Sequence, residues 1–167
     1  MALTTDILRS YRHPRVVLSE RLADGVREDR ALAFLMLACF LVFISQWPRL
    51  ARIAAIEERD LQPLVGGALL GWLFMAPLMF YLIATLARLV WRMFGGAGTG
   101  YGQRMALFWT LLVISPLWLL HGLTAGIIGP SPALTLVGVI TAGAFLLIWG
   151  ATMREVEAGQ PSGMVSS

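Results

Sequence analysis

Polar and apolar positions alternate along this chain in long blocks. Three runs carry no Asp, Glu, Lys or Arg: 31–48, 61–87 and 105–153. A membrane crossing needs about 20 apolar residues. The first run is just long enough for one crossing, the second is ample for one, and the third is long enough for two. Gly129, Pro130, Ser131 and Pro132 divide the third run with strong turn chemistry. The pattern therefore predicts four transmembrane helices at 30–48, 62–92, 104–128 and 133–153. Nothing alternates with period two over barrel-length segments, so a β-barrel is not expected. The predicted fold is an all-α polytopic transmembrane bundle of four helices, preceded by an amphipathic cytoplasmic N-terminal segment, 1–29. A polar tail, 154–167, is expected to be flexible.

Ahead of the first span, Thr5 can cap a short helix from Asp6 to Tyr11, and Pro14 suits the first turn of a second. Leu18, Leu22 and Val26 recur every fourth residue, with Arg15, Glu20, Asp24, Arg27 and Glu28 on other faces. Such a helix lies on the membrane, on a partner or over its own bundle. Leu18, Leu22, Val26, Arg15 and Arg21 are its candidate contacts with a partner or with lipid. In the connection after the first span, Leu50, Ile53 and Ala54 suggest a further interfacial helix.

Composition agrees with a membrane protein. Of 167 residues, 57% are hydrophobic and 14% charged, and mean hydropathy is +0.73. A soluble domain carries about a quarter charged residues. All thirteen basic residues are arginine. The pI near 9.8 does not indicate nucleic acid, because the arginines are scattered between apolar spans rather than gathered into a patch. Their placement sets topology instead. Ten fall in the N-terminal segment, the second connection and the tail; Arg49, Arg52 and Arg59 are the three on the other side. By the positive-inside rule both termini are cytoplasmic, in a multi-pass protein of the cell inner membrane. Trp47, Trp91, Trp109 and Trp149 fall near predicted span ends, where indoles favour the headgroup layer. Trp72 and Trp118 fall deeper. The sole cysteine, Cys39, excludes an intrachain disulfide.

Candidate chemistry inside the membrane is sparse. Pro77 and Pro116 lie within spans and predict kinks. Gly67 with Gly71, and Gly122 with Gly126, place small residues on one helix face for close packing. That packing is read first as internal, although sequence alone leaves an intermolecular contact open. The polar residues within spans are Ser45, Gln46, Thr85, Thr110, Ser115, His121, Thr124, Thr135 and Thr141. Most need no role, since hydroxyls can bond their own helix carbonyls. His121 has no second histidine at its depth to share a haem and is read as an interfacial hydrogen-bonding residue. No catalytic, cofactor-binding or metal site is expected, because HExxH, Ser–His–acid and carboxylate-pair arrangements are all missing.

Residues 95–102 read GGAGTGYG. A phosphate-binding loop requires a preceding strand, and a potassium filter must lie within the membrane. A hydrophilic turn between two helices satisfies neither condition. The turn Gly95, Gly96, Gly98, Thr99, followed by a helix with a mid-span proline at Pro116, resembles the Yip1 family of polytopic membrane proteins. The amphipathic segment with Pro14 is similar to that family as well. The likeness covers roughly 14–150 and is specific over about twenty-five residues from Gly95 to Pro116; four spans stand where five are usual. The resemblance implies a non-enzymatic helical membrane protein, and the eukaryotic members associate with small GTPases and vesicle traffic. The expected function is therefore a non-catalytic accessory, assembly or scaffold subunit. Its expected partners are membrane lipid and a membrane protein or a second copy, with no nucleic acid. The alternative is a small oligomeric permease or channel module for a small solute.

Overall fold

A computed structural model describes residues 3–96 and 98–158, and these are helical throughout, with no strand among them. Two short helices come first: α1 (Leu3–Arg12) and α2 (Pro14–Ala23). They meet at His13, with Pro14 opening α2 where its missing N–H costs nothing. Gly25, at φ +86°, turns the chain into α3 (Glu28–Ile56). Then come α4 (Leu61–Leu70), a π-helical turn (Gly71–Met75) and α5 (Ala76–Met93), which together form one continuous rod. The chain finishes with α6 (Gly100–Val113), α7 (Ser115–Ile127) and α8 (Pro132–Ala158). Three rods, Glu28–Ile56, Leu61–Met93 and Pro132–Ala158, are long and apolar enough to cross a membrane. The pair α6–α7, bent by 43°, makes a fourth if counted as one span.

The helix α6 forms the axis of the bundle. From Met105 to Val113 every residue is buried, with Met105, Phe108, Trp109 and Leu112 fully enclosed. A helix apolar on every side must be covered on every side, and α1, α2, α3, α5 and α8 all pack on it. Its start is capped by Thr99, whose Oγ1 accepts from Gly102 N at 3.1 Å.

Each in-span proline leaves a different mark. Pro116 cannot donate, so the helix breaks between α6 and α7, and Leu117 N donates to Ile114 O at 3.0 Å instead of to Val113 O. The released Val113 carbonyl accepts from the Tyr11 hydroxyl at 2.7 Å. Burial pushes the Tyr11 phenol above its ordinary pKa, which keeps this donor protonated. Pro77 acts one turn upstream instead. The widened turn at Gly71–Met75 takes i→i+5 bonds, with Ala76 N donating to Gly71 O, so the rod continues without a break.

Several predicted boundaries move. The helix of the first span does not end at Pro48. Helix α3 runs on to Ile56, absorbing the expected separate interfacial helix. It is held there by Arg52, which donates to the terminal α7 carbonyls of Gly126 and Ile127 at 3.3 and 3.2 Å. At the other end, 154–158 is not a flexible tail but the last turn of α8, anchored through buried Val156 and through Glu157. Residues 159–167 of that predicted tail lie outside the described residues. The N-terminal segment is two helices joined at His13, packed over the bundle.

Candidate functional site

At the end of the bundle that carries α1 and the last turn of α8, polar groups are engaged with one another. Asp6 and Ser10 of α1 are buried. The Asp6 carboxylate pairs with Arg21 of α2, whose guanidinium lies over the rings of Phe34 and Trp109, 5.5 and 4.9 Å from their centroids. Trp109 Nε1 donates to Ser10 Oγ at 3.0 Å. Trp109 therefore sits under α1, fully buried, rather than in the headgroup layer as its position near a span end suggested. Arg104 pairs with Glu28, and Arg30 with Asp24.

The glycine turn serves the same end of the molecule. Gly98 N and Gln103 Nε2 both donate to the Glu157 carboxylate at 2.9 Å. A Cβ on Gly98 would lie 2.5 Å from Glu157 Oε1, and one on Gly96 2.9 Å from Oε2. Gly95 turns the chain at φ +83°. Gly95, Gly96, Gly98 and Thr99 thus form a carboxylate cradle at the start of α6, where the helix dipole favours negative charge. Replacing Glu157 with alanine leaves the Gly98 and Gln103 donors without this acceptor, at a cost of about 1–3 kcal/mol. The expected result is a lower unfolding midpoint in detergent and faster protease cleavage near Gly98. No change in either would mean that solvent satisfies those donors equally well.

The two small-residue pairs behave differently. A Cβ on Gly122 would lie 1.7 Å from the Ser45 carbonyl oxygen, and one on Gly126 2.3 Å from Pro48 Cβ. This pair is the seam between α7 and α3. Gly67 and Gly71, in contrast, have nothing within 4 Å of a built Cβ, and the neighbouring Gly66 is equally open. Internal packing accounts for the first pair and not for the second.

Among the residues expected to meet a partner or lipid, Leu18 is fully buried in the core and Leu22 packs against it. Arg21 is taken up by Asp6. Leu18 and Leu22 of the stripe thus turn inward over α6 and α8, the packing alternative that the sequence left open. Val26 lies beyond the end of α2 and is 73% exposed, and Arg15 is exposed. Those two stay on the surface.

Polar residues within the spans mostly serve their own helices. Ser45, Thr85, Thr110, Thr124 and Thr141 each donate to a carbonyl three or four residues earlier, at 2.6–2.8 Å. Among the described residues no three His, Cys, Asp or Glu side chains gather as metal ligands.

The far end of the bundle holds what sequence reasoning missed. A cavity of about 770 Å³ opens between α3, the π-helical turn and α7, lined by Arg49, Arg52, Trp72, Trp118 and His121 among others. A second, apolar chamber of about 310 Å³ adjoins it, and Trp118 and His121 line both. His121 meets the Trp118 ring edge-on at 5.9 Å and makes no hydrogen bond among the described residues. Its reading as a hydrogen-bonding residue therefore finds no partner among the described residues. Arg49 and Arg52 share α3 but are far in sequence from His121, and only the α3–α7 seam brings the three together. Compared with family models, curated proteins and solved structures, the chain matches none.

Proposed function

We propose that this chain is a non-catalytic, multi-pass protein of the inner membrane, acting through helix packing as an accessory, assembly or scaffold subunit. The observation that carries this reading is the second span. In the most apolar stretch of Leu61–Met93 only 6% of residues are buried within the chain, against 44% for Glu28–Ile56. Its Gly66, Gly67 and Gly71 edge is open, beside exposed Leu70, Phe74 and Leu78. Small residues let a second helix approach closely in lipid, where packing rather than hydrophobicity drives association. The partner is a membrane protein or a second copy. The Yip1-like turn and Pro116 belong to the same proposal, as does a topology with cytoplasmic termini, supported by the arginine asymmetry. Weighing against a permease is the condition of Thr110, Ser115 and Thr141: all three are buried, and Thr110 and Thr141 bond their own helices.

A cysteine at Gly67, in a Cys39→Ala background, should form an oxidative cross-link in native membranes. The product is either a dimer or an adduct that co-purifies in mild detergent. A cysteine at Leu86, exposed further along the same rod, serves as the control. Reporter fusions after Asp60 and Ser131 should read outside, and those after Gly98 and at the C-terminus inside. A strictly monomeric, partner-free protein with equal cross-linking at both positions would overturn the reading.

A further inference from the structure

The far-end cavity and the chamber beside it differ in chemistry, and the difference matches one kind of molecule. At the mouth, Glu57 is already paired with Arg59 at 3.3 Å. Arg52 rests on the last carbonyls of α7. Arg49 has no ion pair or hydrogen bond among the described residues. Two guanidiniums therefore face the cavity with no carboxylate of their own. A guanidinium fork suits a phosphate oxygen pair, the anionic group that every phospholipid headgroup carries.

Behind the mouth the walls turn apolar: Phe80 of α5, Ile114 at the α6–α7 break, and Ala142 and Phe145 of α8. Both α5 and α8 pack on α6 but share at most a marginal contact with each other, so the chamber faces the lipid between them. Trp118, on the boundary, carries a buried Nε1–H without an acceptor. Buried polar groups are normally satisfied, and an orphan of this kind points to a missing partner.

Length selects the occupant. From Leu134 at the mouth to Phe145 in the chamber is eleven residues of α8, roughly 16 Å at the helical rise. That is close to half of a hydrocarbon core about 30 Å thick. Beyond it the fully buried residues of α6 close the path toward the other end. A pathway across the membrane would need to continue, whereas a lipid of one leaflet ends there.

We infer that this double cavity holds a single phospholipid of the leaflet away from the termini. Its phosphate lies on Arg49 and Arg52, an ester carbonyl accepts from Trp118 Nε1, and one acyl chain runs on into the Phe80–Phe145 chamber. The inference does not depend on whether a protein partner docks on the open glycine edge of the second span.

Native mass spectrometry of the full chain, delipidated in mild detergent, can test it with three probes. These are phosphatidylglycerol, phosphatidylcholine of the same chains, and glycerol 3-phosphate. Phosphatidylglycerol should bind several-fold tighter than phosphatidylcholine: both offer the phosphate, but only choline brings a cation against the two guanidiniums. Arg49→Gln, which removes no internal bond, should erase most of that preference while leaving the unfolding midpoint unchanged. Ala142→Trp, placed on an exposed position facing the chamber, should weaken both lipids several-fold. Phosphatidylglycerol brominated along its chain should quench tryptophan fluorescence, and Trp118→Phe should remove that component. Equal binding of the two lipids, full binding by Ala142→Trp, or displacement by glycerol 3-phosphate would each overturn the inference. The last outcome would identify a headgroup-only anion site.

Discussion

Gly122→Ala is expected to lower the stability of this protein by about 3 kcal/mol, the upper end of overpacking costs. The new methyl would meet the Ser45 carbonyl oxygen at 1.7 Å, and this is backbone in the middle of a helix, which cannot rotate away. Relief requires α3 and α7 to move apart. That motion would loosen Pro48 from Gly126 and Arg52 from the end of α7, so the damage extends along the seam. Gly67→Ala provides the contrast. Its Cβ would enter open space, and alanine gains roughly 0.5–1 kcal/mol over glycine inside a helix. Unfolding midpoints of the detergent-solubilised monomer should fall for Gly122→Ala and hold or rise for Gly67→Ala. Equal losses would mean that α3 and α7 are not in close contact at Ser45.

Asp6→Ala should be nearly as damaging, although it lies outside the spans. Asp6 is 5% exposed, and its carboxylate balances Arg21, which is enclosed by the Phe34 and Trp109 rings. Removing one member of a buried pair strands the other charge, at a cost of about 3–5 kcal/mol. The side chain of Arg21 keeps 19% exposure, which places the expected loss near the lower figure. Glu20→Ala breaks only the exposed Arg9–Glu20 pair and should cost under about 1 kcal/mol. The joint change Asp6→Leu, Arg21→Met should recover much of the loss, since apolar replacement of a buried pair is often neutral or better. Protease cleavage between α2 and α3, with Trp109 fluorescence, reports whether α1 and α2 leave the bundle. Equal effects of Asp6→Ala and Glu20→Ala would show that the Asp6 site is solvated.

Features written into local stretches of chain were legible without coordinates. A run lacking charge must hide its length from water whatever its neighbours, so apolar helices follow directly from 31–48, 61–87 and 105–153; three are continuous rods of membrane length, and the pair α6–α7 is a fourth only if its bend is counted within one span. Pro116 removes a donor, and a break there was legible as one of the helix's possible answers. Pro77 removes one as well, but whether a helix answers by kinking or by widening depends on its surroundings. Around Gly71 the rod widened. End points were less legible, because a helix stops where tertiary partners stop holding it. Arg52 carries α3 past Pro48, and Glu157 carries α8 past the last apolar residue.

Pairings between distant residues were not legible at all. The two Gly-xxx-Gly pairs are equivalent as sequence, yet one is closed on Ser45 and Pro48 and the other is open. The Leu18 and Leu22 stripe announces an apolar face but not what covers it, and α8 with α6 proved to be the cover. The far-end cavity needs Arg49 and Arg52 from one helix, Trp72 from a second and His121 from a third. Hydrophobicity and backbone chemistry act on each segment separately, and the sequence by itself therefore determined the rods, the breaks and the turns. Close packing depends on which surfaces meet, and only the tertiary structure decided the seam, the buried Asp6–Arg21 pair and the cavity between the helices.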